Sequence, residues 1–263
     1  MAYLESVKEL IGRTPLVKIN EHPYRDRVRI FAKLEFYNPG GSIKDRLGKK
    51  LLEDAIKSKK ISEKGTLIEP TAGNTGIGLA MAALNTDIKI ICVVPEKFSQ
   101  EKQDLMRALG TQVINTPSEL GMVGAIEKAK ELQKETPDSY CPLQFENEVN
   151  PLAYYETLAP EIMEDLNGEI DIFIAGAGSG GTFAGAAKYF KEKDETIKTV
   201  IVEPEGSILN GGKPGPHQTE GIGLEFIPPF LDEKYFDGIY TISDEDAFFH
   251  VKDLAKKEGL LVG

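Results

Sequence analysis

The sequence predicts an α/β protein built on parallel sheets. Short runs rich in β-branched residues alternate with longer amphipathic stretches, which is the pattern of strands that alternate with helices. The strand runs are almost continuously apolar, as at residues 89–94, and strands of that composition are buried on both faces of their sheet. Several joints between a strand and the next helix are rich in Gly, Ser, Thr and Asn. Because ligands of open α/β sheets bind at the carboxyl ends of the strands, these joints are the first candidates for a functional site.

The individual elements follow from these patterns. The β-branched and apolar runs predict strands at residues 28–36, 66–69, 89–94, 112–115, 171–175, 199–202 and 239–242. Apolar residues at helical spacing predict helices at residues 45–57, 75–85, 99–109, 121–135, 151–166, 182–193 and 244–258. A boundary near residues 145–150 separates two α/β units.

Composition and charge exclude several classes of protein. The chain has 263 residues, enough for one large domain or two small ones. Its 31 basic and 42 acidic residues give a net charge of −11, which argues against nucleic-acid binding. With no membrane-length apolar stretch and no signal-peptide pattern, we expect a cytoplasmic protein that does not bind membranes. The two cysteines make no disulfide framework and the three histidines lack metal-ligand spacing, so we expect no metal site.

Lys44 stands at an unusual position for a lysine. It lies within residues 38–46 (NPGGSIKDR), between a predicted strand and a predicted helix for which Ser42 is a candidate N-cap. The helix macrodipole disfavours a cation in the first turn and, with desolvation, lowers the pKa of an amine and favours its neutral, nucleophilic form. The simpler interpretation is a solvated lysine. From this segment alone, a reactive amine is a hypothesis.

Residues 71–76 (TAGNTG) form the first of two glycine-containing loops. They follow the strand that ends at Glu69 and open a helix, so small side chains let backbone N–H groups approach an anion. A carboxylate fits at least as well as a phosphate, because the loop has no P-loop lysine. The amide of Asn74 adds a possible donor to a ligand oxygen. The alternative is a tight turn whose glycines serve the backbone conformation alone.

Residues 176–182 (GAGSGGT) form the second loop, again between a strand and a helix. Its glycines match the spacing of the dinucleotide-binding fingerprint, and Glu203 ends the next strand, where a ribose-binding acid is expected. A nest of N–H groups with the hydroxyls of Ser179 and Thr182 equally suits a single phosphate. Both interpretations of this loop are open from its own sequence.

A single cofactor accounts for all three segments. A nicotinamide enzyme leaves Lys44 and residues 71–76 without a role. A cofactor with one aldehyde and one phosphate uses the lysine for a covalent link, one loop for the phosphate and the other for a substrate carboxylate. Pyridoxal phosphate has this chemistry.

The chain resembles the cysteine synthase and cystathionine β-synthase family of fold-type II pyridoxal-phosphate enzymes. The segments that carry the resemblance are residues 10–16 (LIGRTPL), 38–46, 69–76 (EPTAGNTG), 144–145 (QF), 178–182 and 220–223 (EGIG). The resemblance implies two three-layer domains, each with a parallel sheet, in the tryptophan synthase β-like architecture. The smaller domain is expected over residues 42–145 and the larger domain over residues 1–41 and 146–263. It also implies pyridoxal 5′-phosphate as the cofactor and a homodimer.

The resemblance assigns roles to individual residues. It implies that Lys44 forms the covalent link to the cofactor and transfers protons. The other cofactor contacts that it implies are Asn74, Gly178, Ser179, Gly180, Gly181 and Thr182, with Asn74 on the 3′ oxygen and the glycine loop on the phosphate. The substrate contacts that it implies are Thr71, Ala72, Gly73, Thr75, Gln144 and Gly223.

The chain departs from the family pattern at two places. Ala72 stands where the family usually has a serine, a variant found in the subset of bacterial cystathionine β-synthases that use O-acetylserine, which this chain resembles most. Residues 258–263 (EGLLVG) stop where the family continues into a turn whose serine binds the pyridine nitrogen. We therefore expect that a final strand and helix are missing.

The resemblance implies a β-replacement reaction of sulfur amino-acid biosynthesis. An amino-acid donor, O-acetyl-L-serine or serine, reacts with a thiol, homocysteine or sulfide, to give cystathionine or L-cysteine. Two alternatives are an inactive family member that binds the cofactor and a partner protein, and a nucleotide-binding dehydrogenase.

Overall fold

The computed structural model describes residues 3–71 and 73–262, so Met1, Ala2, Ala72 and Gly263 lie outside the described residues. Within these two ranges the chain forms nine strands and eight α-helices. The strands are β1 (Leu16–Ile19), β2 (Ile30–Lys33), β3 (Thr66–Pro70), β4 (Lys89–Pro95), β5 (Gln112–Thr116), β6 (Ser139–Tyr140), β7 (Ile172–Gly176), β8 (Lys198–Pro204) and β9 (Gly238–Ile242). The helices are α1 (Lys44–Lys57), α2 (Asn74–Ala83), α3 (Gln100–Ala108), α4 (Gly121–Glu135), α5 (Val149–Glu156), α6 (Leu158–Asp165), α7 (Gly181–Lys193) and α8 (Asp244–Glu258).

The chain divides into two compact units. The first comprises Met1–Arg13 and Glu35–Asn150, and the second comprises Thr14–Leu34 and Pro151–Gly263. The predicted domains, residues 42–145 against 1–41 and 146–263, group residues 1–13, 35–41 and 146–150 differently. Those boundaries stay a prediction.

The first unit is built on a parallel sheet with strand order β5-β4-β3-β6. All five residues of the interior strand β3 are buried. A cluster of buried side chains joins α4 to the sheet: Ile68, Val93, Ala125, Ala129 and Cys141. Burial of these apolar side chains supplies the main stabilising free energy of this layer.

Helices α1 and α2 of the first unit approach each other through glycines. A Cβ atom added to Gly48 would overlap the backbone of Gly78, and one added to Gly78 would overlap the carbonyl oxygen of Lys44. Only glycine permits backbones to come this close. The start of α1 is therefore held against α2.

The second unit contains the parallel sheet β7-β8-β9 and the antiparallel pair β1-β2. The ring of Phe173 on β7 lies 5.0 Å from that of Phe190 and 6.1 Å from that of Phe183, both on α7. A second cluster of buried Ile19, Leu34 and Leu260 packs around the β1-β2 pair. The packing of Phe173 against Phe183 and Phe190 fixes α7 on strand β7.

The structure differs from the predicted elements in three respects. The sequence prediction missed β1 and β6, which are short, and did not anticipate that β1 and β2 are antiparallel. Residues 28–36 form a strand only at Ile30–Lys33. The single helix predicted at residues 151–166 is two helices, α5 and α6, interrupted at Thr157. Pro160 lacks the N–H that a continuous helix would donate to the carbonyl of Glu156.

None of the helices in residues 3–71 and 73–262 is long and apolar enough to span a membrane.

Candidate active site

Lys44 is the first residue of α1. The residue before it, Ile43, is the N-cap and makes no side-chain capping bond. The hydroxyl of Ser42 instead accepts a hydrogen bond from the backbone N–H of Lys44 at 3.2 Å. The lysine therefore lies in the first helical turn, as the sequence predicts. Ser42, one residue before the N-cap Ile43, accepts the hydrogen bond from the helix start.

The segment that carries Lys44 is braced by charged side chains. The buried carboxylate of Asp45 accepts the backbone N–H of Gly40 at 2.5 Å. Burial raises the pKa of Asp45 to about 6, the Gly40 N–H opposes that shift, and the negative charge of Glu35 adds to it. The guanidinium of Arg46 donates two hydrogen bonds to Glu35, at 2.7 and 2.9 Å. The backbone on both sides of Lys44 is thus held by side chains within the first unit.

The environment of the Lys44 side chain favours a neutral amine. Desolvation by burial lowers the pKa of Lys44 from 10.5 to about 8, and the negative charge of Glu69 partly opposes that shift. Of the two causes invoked from the sequence, desolvation rather than the helix macrodipole is the main one. An amine with this pKa can act as a nucleophile and can accept or donate a proton near neutral pH.

Thr71 and Gly73 lie in the short connection between β3, which ends at Pro70, and α2, which begins at Asn74. The hydroxyl of Thr71 accepts the backbone N–H of Gly73 at 3.0 Å, and both groups are buried. Gly73 has φ +151°, and a Cβ atom there would lie 2.5 Å from Cδ of Lys102. Asn74 begins α2, so the N–H groups of the helix start lie directly after this connection. The predicted contact Ala72 lies outside the described residues.

The structure brings Thr75 and Gln144 together. The hydroxyl of Thr75 donates to Oε1 of Gln144 at 2.9 Å, and both side chains are buried. These residues are 69 positions apart in the sequence. The resemblance placed both in the substrate set, but no local pattern predicted their contact.

Sequence reasoning assigned no role to Glu69 in this unit. Its side chain is fully buried at the end of β3. One carboxylate oxygen accepts the backbone N–H of Leu143 at 3.0 Å, and the other accepts that of Gln144 at 3.1 Å. Burial raises the pKa of Glu69 to about 8, while these two N–H groups and the charge of Lys44 oppose that shift. The available signal was an acidic residue inside an apolar strand, directly before a glycine-containing loop.

In the second unit, residues 176–182 join β7 to α7 as a glycine loop. Gly180 precedes the helix with φ +79°, a conformation that favours glycine. A Cβ atom on Gly178 would overlap the carbonyl oxygen of Gly221, and the N–H of Gly223 donates to the carbonyl of Ala177 at 2.8 Å. The loop is therefore narrow, glycine-lined and located at the N-terminus of a 13-residue helix. This arrangement suits a phosphate group.

The remaining predicted residues of the second unit lie around this loop. Ser179 is buried, and Gly181 and Thr182 are the first two residues of α7. Gly223 has φ +99°, and a Cβ atom there would lie 2.5 Å from Nε2 of His217. The contacts of Gly221 with Gly178 and of Gly223 with Ala177, described above, pack residues 220–223 against the glycine loop.

Each unit, taken by itself, contains residues suited to one part of a cofactor that has an aldehyde and a phosphate. The first unit holds a desolvated amine, and the second holds a glycine cradle at a helix N-terminus. Among residues 3–71 and 73–262, no group of His, Cys, Asp and Glu side chains could hold a metal ion. The chemistry of these residues fits pyridoxal phosphate.

A family model described as a pyridoxal-phosphate dependent enzyme matches residues 7–263. The chain belongs to this family. It is 57% identical over 263 residues to the O-acetylserine dependent cystathionine beta-synthase of Bacillus subtilis, covering 100% of this chain and 86% of the relative. It is 57% identical over 265 residues to a cysteine synthase of Helicobacter pylori, covering 100% of this chain and 87% of that relative. The crystal structure of an O-acetylserine dependent cystathionine beta-synthase from Helicobacter pylori superposes with a TM-score of 0.94 at 57% identity, covering 100% of this chain and 87% of that one.

These comparisons confirm the predicted family, its α/β fold of fold-type II and its pyridoxal-phosphate cofactor class. They select the pyridoxal-phosphate interpretation over the dinucleotide-dependent dehydrogenase. The roles of individual site residues stay predictions.

Proposed function

We propose that this protein catalyses a pyridoxal-phosphate-dependent β-replacement in sulfur amino-acid biosynthesis. The donor is O-acetyl-L-serine or serine, and its β-acetoxy or hydroxyl group is exchanged for the sulfur of homocysteine or sulfide. The product is cystathionine or L-cysteine. The names of the two relatives described above support this reaction. The structural observation that carries the proposal is the desolvated amine of Lys44, whose pKa is lowered to about 8.

Lys44 is the proposed covalent attachment point and proton carrier. Pyridoxal phosphate, when bound, supplies an aldehyde and a conjugated ring that stabilises negative charge on the α-carbon of an amino acid. The neutral form of Lys44 Nζ, which the lowered pKa makes available near neutral pH, would link to that aldehyde. With the amino acid bound, Nζ would accept the α-proton and later return it.

The turn before α2 is the proposed grip for the substrate carboxylate. The N-terminus of α2 attracts an anion through its unpaired N–H groups and the helix macrodipole. We assign Thr71, Ala72, Gly73, Thr75 and Gln144 to this grip, with Asn74 beside them on the cofactor's 3′ oxygen. The hydrogen bond from Thr75 to Gln144 holds two of these side chains in a common orientation.

The second unit contributes the proposed phosphate contacts. We assign this role to residues 178–182, because narrow glycine backbone and the start of α7 present N–H groups without steric obstruction. Gly223 is the proposed boundary of the acceptor pocket, on the segment that packs against this loop.

The test begins with cofactor binding and proceeds to turnover. Titration of the purified protein with pyridoxal phosphate should produce a visible absorbance band, and Lys44→Ala should lack the band of the lysine-linked cofactor. O-acetyl-L-serine with homocysteine or sulfide should then release acetate and form cystathionine or cysteine. A protein that binds the cofactor through Lys44 but releases no acetate would be the inactive binding protein instead.

Two comparisons define the substrates further. Steady-state rates with O-acetyl-L-serine and with serine identify the donor, and rates with sulfide and with homocysteine identify the acceptor. We expect O-acetyl-L-serine to be preferred, since the relative from Bacillus subtilis is named for it.

We also propose that the protein is a cytoplasmic homodimer, a proposal that rests on its resemblance to the family. Sedimentation equilibrium of the purified chain tests the dimer, and a mass corresponding to one chain would contradict it. Cell fractionation tests the location.

A further inference from the structure

We propose that Glu69 is a positioning residue for the substrate: its carboxylate fixes the turn at Leu143 and Gln144 and so aims the Gln144 side chain at the amino acid's α-carboxylate. This inference rests on the proposed function. It adds a residue that touches neither substrate nor cofactor and acts through Gln144.

The carboxylate of Glu69 holds two successive backbone N–H groups. Leu143 donates to one oxygen at 3.0 Å and Gln144 donates to the other at 3.1 Å. Leu143 has φ +55°, the left-handed region that a leucine rarely adopts. Such a conformation persists only where the surroundings determine it, and here two hydrogen bonds to one buried acceptor do so.

The carbonyl side of the same turn is also fixed. The carbonyl oxygen of Leu143 accepts the N–H groups of Glu146 and Asn147 at 2.9 and 3.1 Å. The carbonyl oxygen of Gln144 accepts Nδ2 of Asn150 at 2.7 Å. With the backbone held on both sides, the direction of the Gln144 side chain is set by the turn.

The oriented side chain reaches the start of α2. Oε1 of Gln144 accepts the hydroxyl of Thr75 at 2.9 Å. Glu69 therefore connects the end of β3, through Gln144, to the second residue of α2. The proposed carboxylate grip at residues 71–73 lies in the chain between these two anchored points.

The chemistry of the turn requires a carboxyl group at position 69. Both partners are N–H donors, and both oxygens of a carboxyl group can accept a hydrogen bond whether the group is ionised or protonated. The isosteric change Glu69→Gln turns an NH₂ group toward one of these N–H groups, so one donor loses its partner. The backbone at Leu143 then relaxes, and Gln144 loses its direction.

Glu203 provides a matched control in the second unit. It is buried at the end of β8 and accepts the successive N–H groups of Leu209 and Asn210 at 3.0 and 2.9 Å. Glu203→Gln therefore removes the same kind of hydrogen bond from the same kind of position. It disturbs a turn to which we assign no carboxylate contact.

The experiment compares two ligands that differ only at the carboxylate. L-alanine has the α-carboxylate but no β leaving group, and L-alaninamide replaces the carboxylate with a neutral amide. Dissociation constants for both are measured with protein loaded with pyridoxal phosphate. We expect Glu69→Gln to weaken L-alanine binding about tenfold and L-alaninamide binding less than about twofold. Glu203→Gln should leave this ratio unchanged.

A double-mutant cycle tests whether Glu69 acts through Gln144. In the Gln144→Ala background, Glu69→Gln should add little to the loss of L-alanine affinity, because the side chain to be positioned is gone. Backbone amide exchange of cofactor-free protein is a separate readout. The amides of Leu143 and Gln144 should exchange at least about tenfold faster in Glu69→Gln than in wild type.

Several outcomes would overturn the inference. Equal weakening of both ligands, additive effects of the two substitutions, or unchanged amide exchange at residues 143–144 would each do so. If Glu69→Gln does not fold, Glu69→Asp, which keeps the carboxyl group but shortens its reach, must show the same selective loss. Wild-type protein that binds the cofactor but does not distinguish L-alanine from L-alaninamide contradicts the proposed carboxylate grip itself.

Discussion

Two strands, one in each unit, end in the same dipeptide. Glu69 precedes the last residue of β3, and Glu203 precedes the last residue of β8, with a proline following in both cases. Each is an interior strand of a parallel sheet. Each carboxylate is buried and accepts two successive backbone N–H groups from a later segment of its own unit.

The difference between the two sites lies in what else faces the carboxylate. Glu203 also accepts the hydroxyl of Thr241, on the neighbouring strand β9, at 3.2 Å. Glu69 interacts with the amine of Lys44, and burial raises the pKa of Glu69 to about 8. A buried carboxylate at a strand end is thus a general anchor for a loop. We propose that Glu69 has a functional role in addition, because the loop that it anchors and its charged neighbour Lys44 belong to the proposed active site.

The largest expected effect comes from removing the amine of Lys44, which is the charged neighbour of Glu69. Lys44→Ala takes away the amine that lowers the pKa of Glu69, so that pKa rises further. It also removes the proposed proton carrier, and β-replacement should fall by at least about 10²–10⁴-fold. The measurement is acetate release from O-acetyl-L-serine. Lys49→Ala, an exposed site on the same helix, is the control, and retention of activity in Lys44→Ala would contradict the assignment.

A matched pair of glycine substitutions compares how each unit tolerates crowding near its site. A Cβ atom on Gly78 would overlap the carbonyl oxygen of Lys44, and one on Gly185 would overlap that of Pro151. Both alanine variants should lose about 1–3 kcal/mol of unfolding free energy in urea, since overpacking outweighs the gain in helix propensity.

Only Gly78→Ala should change the chemistry, because it displaces the backbone of Lys44. Its affinity for pyridoxal phosphate and its turnover should both fall, whereas Gly185→Ala should retain them at a temperature where it is folded. Equal losses of activity in the two variants would mean that the packing of α1 on α2 has no special connection to the reaction.

The sequence predicted the local features of both units. The alternation of strands and helices, the position of Lys44 in a first helical turn and the two glycine loops all depend on residues adjacent in the chain. The break between α5 and α6 was within reach, because Pro160 cannot donate the hydrogen bond of a continuous helix.

The sequence could not predict contacts that depend on tertiary packing. Glu69 meets Leu143 and Gln144 across 74 and 75 positions, and its role became visible only when the fold joined them. The same holds for the close approach of Gly48 to Gly78. Strand β6 has two residues, too few for a periodic pattern to identify.

The pH dependence of the unfolding free energy tests whether the pKa of Glu69 is raised. Its pKa is raised from 4.5 to about 8, so between these values the folded state keeps a proton that the unfolded state releases. The unfolding free energy of wild type should therefore fall as pH rises through this window, by at most about 1.4 kcal/mol per pH unit. Glu69→Gln should lack this decline.

The titration of Lys44 and Asp45 does not hide the difference in pH dependence between wild type and Glu69→Gln. The pKa of Lys44 is lowered from 10.5 to about 8, so both states hold its proton below that pH. Asp45, whose pKa is raised to about 6, contributes equally to both proteins and cancels. Urea unfolding at about pH 6 and pH 7.5 measures the slope for each protein. Parallel slopes for wild type and Glu69→Gln would contradict the raised pKa.

The smallest expected effect comes from removing one threonine hydroxyl in each unit, Thr75 in the first and Thr241 in the second. Thr75→Val removes the bond to Gln144. Thr241→Val removes the bond to Glu203 and an exposed bond from Nδ2 of Asn210, which adds little to stability because water can replace it. Each should cost about 0.5–1.5 kcal/mol of unfolding free energy, the usual net value of one hydrogen bond. The KM for O-acetyl-L-serine should rise about two- to tenfold in Thr75→Val and stay unchanged in Thr241→Val. The two variants should lose similar amounts of stability. If KM rises equally in both, the rise reflects the loss of stability and not a lost contact with the substrate. The hydrogen bonds of Glu69 would then have only a structural role, like those of Glu203.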